Sequence, residues 1–144
     1  MSKWDKNTFI KATKESCESH ISNIVLDLVK CAESGADIVQ WGRGTGYGTM
    51  RFKCKTDDYG VLALFEITTK GKINFLLNAL RAKVRKKEIL RDYQLKLESN
   101  FMIDFDEDGY TCDIYYDLEE IFTIKQEVDK FINTIQGITD RLHQ

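Results

Sequence analysis

Apolar residues at the start of the chain recur with the period of an α-helix. The spacings are three, four and seven, which place one apolar stripe along a helix over about residues 7–34. Asn7 or Thr8 is expected to cap the start of this helix, and Gly35 to end it. The stripe consists of Ile10, Cys17, Ile21, Ile24, Leu28 and Cys31.

The pattern then changes to a period of two, which predicts strands between residues 36 and 77. Ile38–Trp41 is predicted as a short strand, and the alternation of apolar and basic residues over 50–55 predicts a half-buried strand. Turn residues over 57–60 and 69–72 separate this strand from two further apolar segments. The sequence therefore predicts an antiparallel meander, with its last strands at Val61–Ile67 and Ile73–Leu76.

The second half of the chain repeats the two periods. A basic helix is predicted over about 83–98, a hairpin around Asp106–Gly109, and a last helix over about 118–142. The predicted fold class is α+β, with one antiparallel sheet of about five strands and three helices. The order is helix, β meander, helix, β hairpin, helix, in a single domain over residues 1–144.

Composition excludes several classes of protein. Of the 144 residues, 42% are hydrophobic and 31% charged, enough for a core, and the formal net charge is −2. That near-balance argues against a general nucleic-acid coat or a polybasic membrane anchor. No apolar run approaches the roughly 18–20 residues that span a bilayer, and residues 1–6 lack the apolar core of a signal peptide. We therefore expect a cytoplasmic protein with no membrane partner.

The charges are nevertheless segregated along the chain. Residues 70–91 are strongly basic, with Glu88 as the single acid, whereas residues 104–120 contain acids and no base. Each segment is either a solvated face or a surface that steers a partner or pairs across a dimer. On the second interpretation the basic binding residues are Arg81, Lys83, Arg85, Lys86 and Lys87.

Glycines at every second position over Gly42–Gly48 form the least ordinary motif. Such a run either makes a wide structural turn or lets backbone amides approach a ligand. A dinucleotide fingerprint would need a helix directly after the glycines, and a strand is predicted there instead. If the loop binds a partner, Trp41, Arg43 and Tyr47 supply the aromatic faces and the charge.

Metal and cofactor sites are not expected. The cysteines Cys17, Cys31, Cys54 and Cys112 have no zinc-type spacing, and they are predicted to be structural and reduced. Asp104–Gly109 matches the first half of a calcium loop. However, Tyr115 stands where the bidentate acid is needed, so an acidic hairpin is the better interpretation.

Catalysis is not expected either. Asp58, Glu66 and Lys70 are the nearest match to the magnesium-binding set of a restriction-endonuclease-like nuclease, but their spacing departs from that motif. Both histidines, His20 and His143, lie on the terminal helices without a supporting motif.

The last helix has a near-heptad apolar stripe between Ile121 and Leu142. This stripe either packs in the core of the chain or forms a homodimer seam.

Two families resemble parts of the chain. Residues 41–49 and 64–75, with Trp-Gly-x-Gly, a second glycine and a Gly-turned hairpin, resemble a bacterial domain of unknown function that often lies beside restriction-endonuclease-like domains. That resemblance implies a non-catalytic accessory module in a DNA-processing or defence context, bacterial or phage. The element order, and the hairpin and helix over 101–142, are similar to type III secretion chaperone-like proteins, which dimerise and bind extended partner segments.

We therefore expect a binding protein rather than an enzyme, with a protein partner or a nucleic acid as its target. A secretion-chaperone-like or immunity-type dimer that binds one protein partner is the first alternative. A degenerate nuclease is the second.

Overall fold

The structure, a computed structural model, describes residues 3–103 and 114–143, and its centre is an antiparallel sheet. The sheet has five strands in the order β1-β2-β3-β4-β5, so that neighbours in sequence are also neighbours in space. This confirms the predicted α+β class and the meander. The strands are β1 Ile38–Trp41, β2 Thr49–Thr56, β3 Gly60–Thr68, β4 Lys72–Asn74 and β5 Tyr116–Asp117.

The first and the last predicted helices are each a pair of helices in the structure, and a helix over residues 77–83 that was not predicted precedes the basic one. The described residues therefore contain six helices, and the predicted number of three is too low. The six are α1 Lys6–Ser16, α2 Ser19–Gly35, α3 Leu77–Lys83, α4 Lys87–Phe101, α5 Leu118–Ile121 and α6 Lys125–Leu142.

The first break lies between α1 and α2, where Cys17 adopts an extended conformation with φ −120° and ψ 154°. Its thiol Sγ lies 3.5 Å from the carbonyl oxygen of Thr69, so the break is fixed by a contact with the β3–β4 turn. The start of α1 is also earlier than predicted. Asp5 is the N-cap, and its carboxylate accepts the Thr8 backbone N–H at 2.8 Å.

Buried side chains that leave the helical path account for the other two breaks. Val84, only 1% exposed, is extended between α3 and α4. Phe122, also 1% exposed, is extended between α5 and α6, and its ring lies edge-on to Phe101 at a centroid distance of 5.2 Å. Burial of these side chains outweighs the cost of interrupting the backbone hydrogen bonds.

The predicted hairpin is only partly visible. Phe101 is the last residue of α4 rather than a strand residue, and Met102 after it is left-handed with φ 56°. The turn at Asp106–Gly109 lies outside the described residues. The second strand of the hairpin is represented by β5, which pairs with β4 through Ile73 and Tyr116.

The helices and one face of the sheet share a single hydrophobic core. Phe65 of β3 meets Phe131 of α6 edge-on at a centroid distance of 5.1 Å, which places α6 against this face. Because side chains alternate along a strand, Arg51, Lys53 and Lys55 of β2 lie on the opposite, open face. Within the described residues, no helix has the length and apolar character needed to cross a membrane.

Candidate functional site

The glycine loop is filled by the N-terminal segment of the chain itself. The indole Nε1–H of Trp4 donates to the carbonyl oxygen of Gly44 at 3.1 Å, and the backbone N–H of Trp4 donates to that of Gly42, also at 3.1 Å. The far end of the loop is fastened to the β3–β4 turn, since the Gly48 N–H donates to Thr69 Oγ1 at 3.0 Å. These contacts support the interpretation of the run as a structural turn.

Two of the four glycines are required by close packing. A Cβ on Gly42 would lie 2.0 Å from Thr49 Oγ1, and one on Gly48 would lie 2.6 Å from the Trp4 ring. A Cβ on Gly46 would meet nothing within 4 Å. The close approach is therefore to the protein's own side chains.

A groove of about 550 Å³ runs beside this loop along β1. Six consecutive residues of the chain, 38–43, line it, so the groove follows the edge strand rather than one point on the sheet. Ile38, Trp41 and Val61 contribute apolar surface, and three cations surround it. The lining cations are Lys3, Arg43 and Lys53.

The predicted residue Tyr47 lies in a different, smaller concavity of about 230 Å³. Its side chain is 48% exposed, and the other lining residues are Thr68, Lys70, Lys72 and Tyr115. The structure therefore brings Trp41 and Arg43 to one groove and places Tyr47 in another.

Glu66 is a buried carboxylate on the open face of the sheet, only 3% exposed. It accepts a hydrogen bond from Arg51 Nε at 2.7 Å and another from the Tyr115 hydroxyl. Burial, followed by the bond to Glu66, raises the pKa of Tyr115 to about 12. The carboxylate is thus fully engaged in structural contacts.

The nuclease-like set is not assembled around Glu66. Asp58 lies in the turn before β3, whereas Glu66 is six residues along that strand from Gly60. At about 3.3 Å per residue the two carboxylates are separated by roughly 20 Å, too far to share one metal ion.

The predicted basic residues lie at the far end of the β2–β3 hairpin from the glycine loop. Lys86 donates its backbone N–H to the Tyr59 hydroxyl at 3.2 Å, and Tyr59 belongs to the β2–β3 turn. The eight residues of β2 separate the two regions by about 26 Å. The binding residues are therefore two patches, the second of which contains Arg81, Lys83, Arg85, Lys86 and Lys87.

The described cysteines are free thiols, as predicted, namely Cys17, Cys31 and Cys54, while Cys112 lies outside the described residues. Burial raises the pKa of Cys31 to about 11. Burial, with a smaller contribution from the Asp37 carboxylate, raises the pKa of Cys54 to about 12. Neither thiol is activated as a nucleophile near neutral pH.

Cys54 belongs to a cluster that sequence reasoning missed. The side chains of Asp37, Cys54 and His143 converge, although they come from the start of β1, from β2 and from the end of α6. No local spacing joins them, so only the packing of α6 on the sheet reveals the cluster.

The apolar stripe of the last helix faces the interior of the chain. Five of its members are at most 6% exposed, so core packing accounts for them, whereas Ile124, also in the predicted stripe, is the N-cap residue and is 54% exposed. Homodimerisation through this helix stays a prediction, and it would have to use other side chains. The buried residues are Val128, Phe131, Ile135, Ile138 and Leu142.

No family model, no curated protein and no solved structure matches this chain, so both family resemblances stay predictions.

Proposed function

We propose that this chain is a non-catalytic binding protein whose target is an extended acidic segment of a partner protein. The binding site is the groove along β1, and the partner segment adds as a further strand at this edge of the sheet. The groove lined by the consecutive residues 38–43 is the observation that carries the proposal.

The geometry of the edge supports strand addition. β1 is the first strand of the sheet, and among residues 3–103 and 114–143 only β2 is a neighbouring strand of it. Within the described residues, the N-terminal segment meets this edge just past the strand, in a bridge between Lys3 and Arg43. Backbone hydrogen bonds along an edge provide affinity, while side-chain pockets at alternate positions provide specificity.

The charge of the groove favours an acidic segment. Lys3, Arg43 and Lys53 line it, and no acidic residue is among the described lining residues. Within the described part of the chain, none of the three cations forms an ion pair. A partner carboxylate would therefore meet an uncompensated cation, which favours encounter and fixes the direction of approach.

The apolar residues of the groove suit alternating side chains. Ile38 and Val61, the latter 40% exposed, lie on the open face beside Lys53. A strand in which acidic and apolar residues alternate would place its carboxylates on this face, near Lys53, and its apolar side chains on the opposite face, beside Val39 and Trp41.

The test measures binding of labelled peptides to the full chain by fluorescence anisotropy. The probe is a peptide in which Glu alternates with Val, and the comparison peptides are the same sequence with Lys for Glu and the same sequence with a central proline. We expect binding of the acidic peptide alone, because proline removes a ladder hydrogen bond. Lys53→Glu should raise its Kd roughly tenfold, equivalent to about 1.4 kcal/mol.

Lys130→Glu is the matched control, because Lys130 is an exposed cation on α6, away from the groove. It should leave the Kd unchanged. An equal rise of the Kd with Lys130→Glu would show a non-specific charge effect and would overturn the assignment of the binding site. The proposal of a protein partner would be overturned in favour of a nucleic acid by a different result. In that case the chain binds single-stranded DNA or RNA in a salt-sensitive way, Arg43→Glu abolishes this binding, and the acidic peptide does not bind.

A further inference from the structure

Three metal-ligating side chains of different chemistry meet where the end of α6 reaches the sheet. Asp37, Cys54 and His143 each offer one ligand atom, and these atoms all lie within 4.8 Å of one another. The shortest contact is 2.7 Å, between His143 Nε2 and Asp37 Oδ2. The cluster is thus formed by residues far apart in sequence, and the surrounding backbone holds each of them.

The backbone supports each of the three positions. The Lys55 N–H donates to Asp37 Oδ2 at 2.7 Å, which orients the carboxylate. Cys54 lies in the middle of the β2–β3 ladder, paired with Leu62. The His143 N–H donates to the carbonyl oxygen of Thr139 at 3.0 Å, which fixes the residue at the end of α6.

The spacing and the chemistry suit zinc. Zn²⁺ is bound by thiolate sulfur at about 2.3 Å and by imidazole nitrogen or carboxylate oxygen at about 2.0–2.2 Å. In a tetrahedral site these bonds place ligand atoms roughly 3.3–3.8 Å apart. The upper limit of the spacing in the cluster, 4.8 Å, exceeds that ligand spacing by about 1 Å. The Lys55 amide then serves as an outer hydrogen bond of the kind that orients metal-bound carboxylates.

We propose that Asp37, Cys54 and His143 bind a Zn²⁺ ion, with solvent in the fourth coordination position. On binding, the Cys54 thiol releases its proton to solvent and a sulfur–metal bond forms, without any redox change. The ion joins the end of α6 to β1 and β2. The site is independent of the peptide-binding groove, since none of its ligands lines that groove.

Binding is tested on the full chain without a polyhistidine tag, using Co²⁺ as a spectroscopic probe and Zn²⁺ by calorimetry. Wild-type protein should bind one ion per chain and show the charge-transfer absorption of a cobalt–thiolate bond. Zn²⁺ should also raise the Tm, because it binds the folded chain alone. Cys54→Ser should abolish the charge-transfer band, and His143→Ala should weaken Zn²⁺ binding at least tenfold, within the range known for loss of a supporting or ligating group.

The chain provides matched controls. Cys31→Ser changes a buried thiol elsewhere, and His20→Ala changes an exposed histidine elsewhere, so both should bind Zn²⁺ like the wild type. Because Cys54→Ser changes a buried residue, circular dichroism checks its fold. His143→Ala is the second variant, at an exposed position. The proposal is overturned by absence of the cobalt–thiolate band, by its persistence in a folded Cys54→Ser, or by an unchanged Zn²⁺ affinity in His143→Ala.

Discussion

At the scale of single residues, the contact between Trp4 and Gly48 determines how the glycine loop is packed. A Cβ on Gly48 would lie 2.6 Å from the indole ring, so the ring occupies the space that the Cβ would need. Trp4 is also held by the carbonyl oxygen of Gly44. The loop and the N-terminal segment are therefore one packed unit.

Gly48→Ala should lower the free energy of unfolding by about 1–3 kcal/mol, because a Cβ at 2.6 Å from the Trp4 ring forces the ring out of place. Gly46→Ala is the control in the same loop. A Cβ there has open space, and we expect a change within about 0.5 kcal/mol. Chemical denaturation of both variants measures the difference. Equal stability of the two variants would show that the Trp4 contact does not constrain the loop.

Sequence reasoning identified the residues of the loop but not their neighbour. The spacing of Gly42–Gly48 is visible locally, whereas Trp4 reaches the loop only after α1 and α2 have folded back on the sheet. The cluster of Asp37, Cys54 and His143 was missed for the same reason. Contacts between distant segments depend on tertiary packing, which no local period encodes.

At the scale of elements, apolar periodicity correctly predicted the strands of the meander and the helical segments other than α3, which no predicted helix covers. It did not predict the helix breaks, because the apolar spacing continues across them. Cys17 remains in the seven-residue spacing with Ile24 even though its own backbone is extended. The Thr69 carbonyl that meets the Cys17 thiol is supplied by another element. The position of the break between α1 and α2 therefore depends on a contact with another element.

The start of α6 provides a test of how an element end is stabilised. Its N-cap is Ile124, which has no capping side chain, and Glu127 in the first turn is hydrogen-bonded to the residue before the cap. The Glu127 carboxylate accepts hydrogen bonds from the Thr123 hydroxyl and from the Thr123 N–H, the latter at 3.0 Å. The bond from the Thr123 hydroxyl is the main cause that holds the pKa of Glu127 below its ordinary value of 4.5.

Glu127→Gln should therefore cost roughly 0.5 kcal/mol at neutral pH, a modest effect because the site is partly exposed to solvent. Since the folded-state pKa is depressed, this contribution is fully present above about pH 4.5 and is lost as the pH falls through the folded-state value. Urea unfolding of both proteins across this range measures the difference. Asp129→Asn, at an exposed neighbouring position on α6, is the control. A difference in the free energy of unfolding between Glu127→Gln and the wild type that persists at low pH would contradict the role of the Glu127 carboxylate.

At the scale of the whole molecule, the core contains the apolar stripe of α6 except for Ile124 at the N-cap. Phe131 lies at its centre and meets the rings of Phe65, Phe75 and Phe122 at centroid distances of 5.1–5.7 Å. Helix α6 also packs against α2 and α4. The stripe is thus part of the fold of one chain.

Ile135→Ala should lower the free energy of unfolding by about 2–5 kcal/mol, because it leaves a cavity at a fully buried position. Ile124→Ala, at a residue that is 54% exposed, should change it by less than about 0.5 kcal/mol. Thermal unfolding at several protein concentrations measures both effects. If the stripe acts within one chain, the loss for Ile135→Ala is the same at every protein concentration, whereas a loss that varies with concentration would indicate that the stripe takes part in a dimer.

The two ends of the sheet also bear on how the protein avoids self-association. In the part of the chain that the structure describes, β1 has four residues and β5 has two, so each edge there offers another copy only a short row of backbone groups. Past the end of β1, the bridge between Lys3 and Arg43 occupies the edge. Cations along the β1 groove would repel the same groove on a second molecule. The edge thus resists amyloid-like stacking of identical chains while remaining open to a strand of opposite charge.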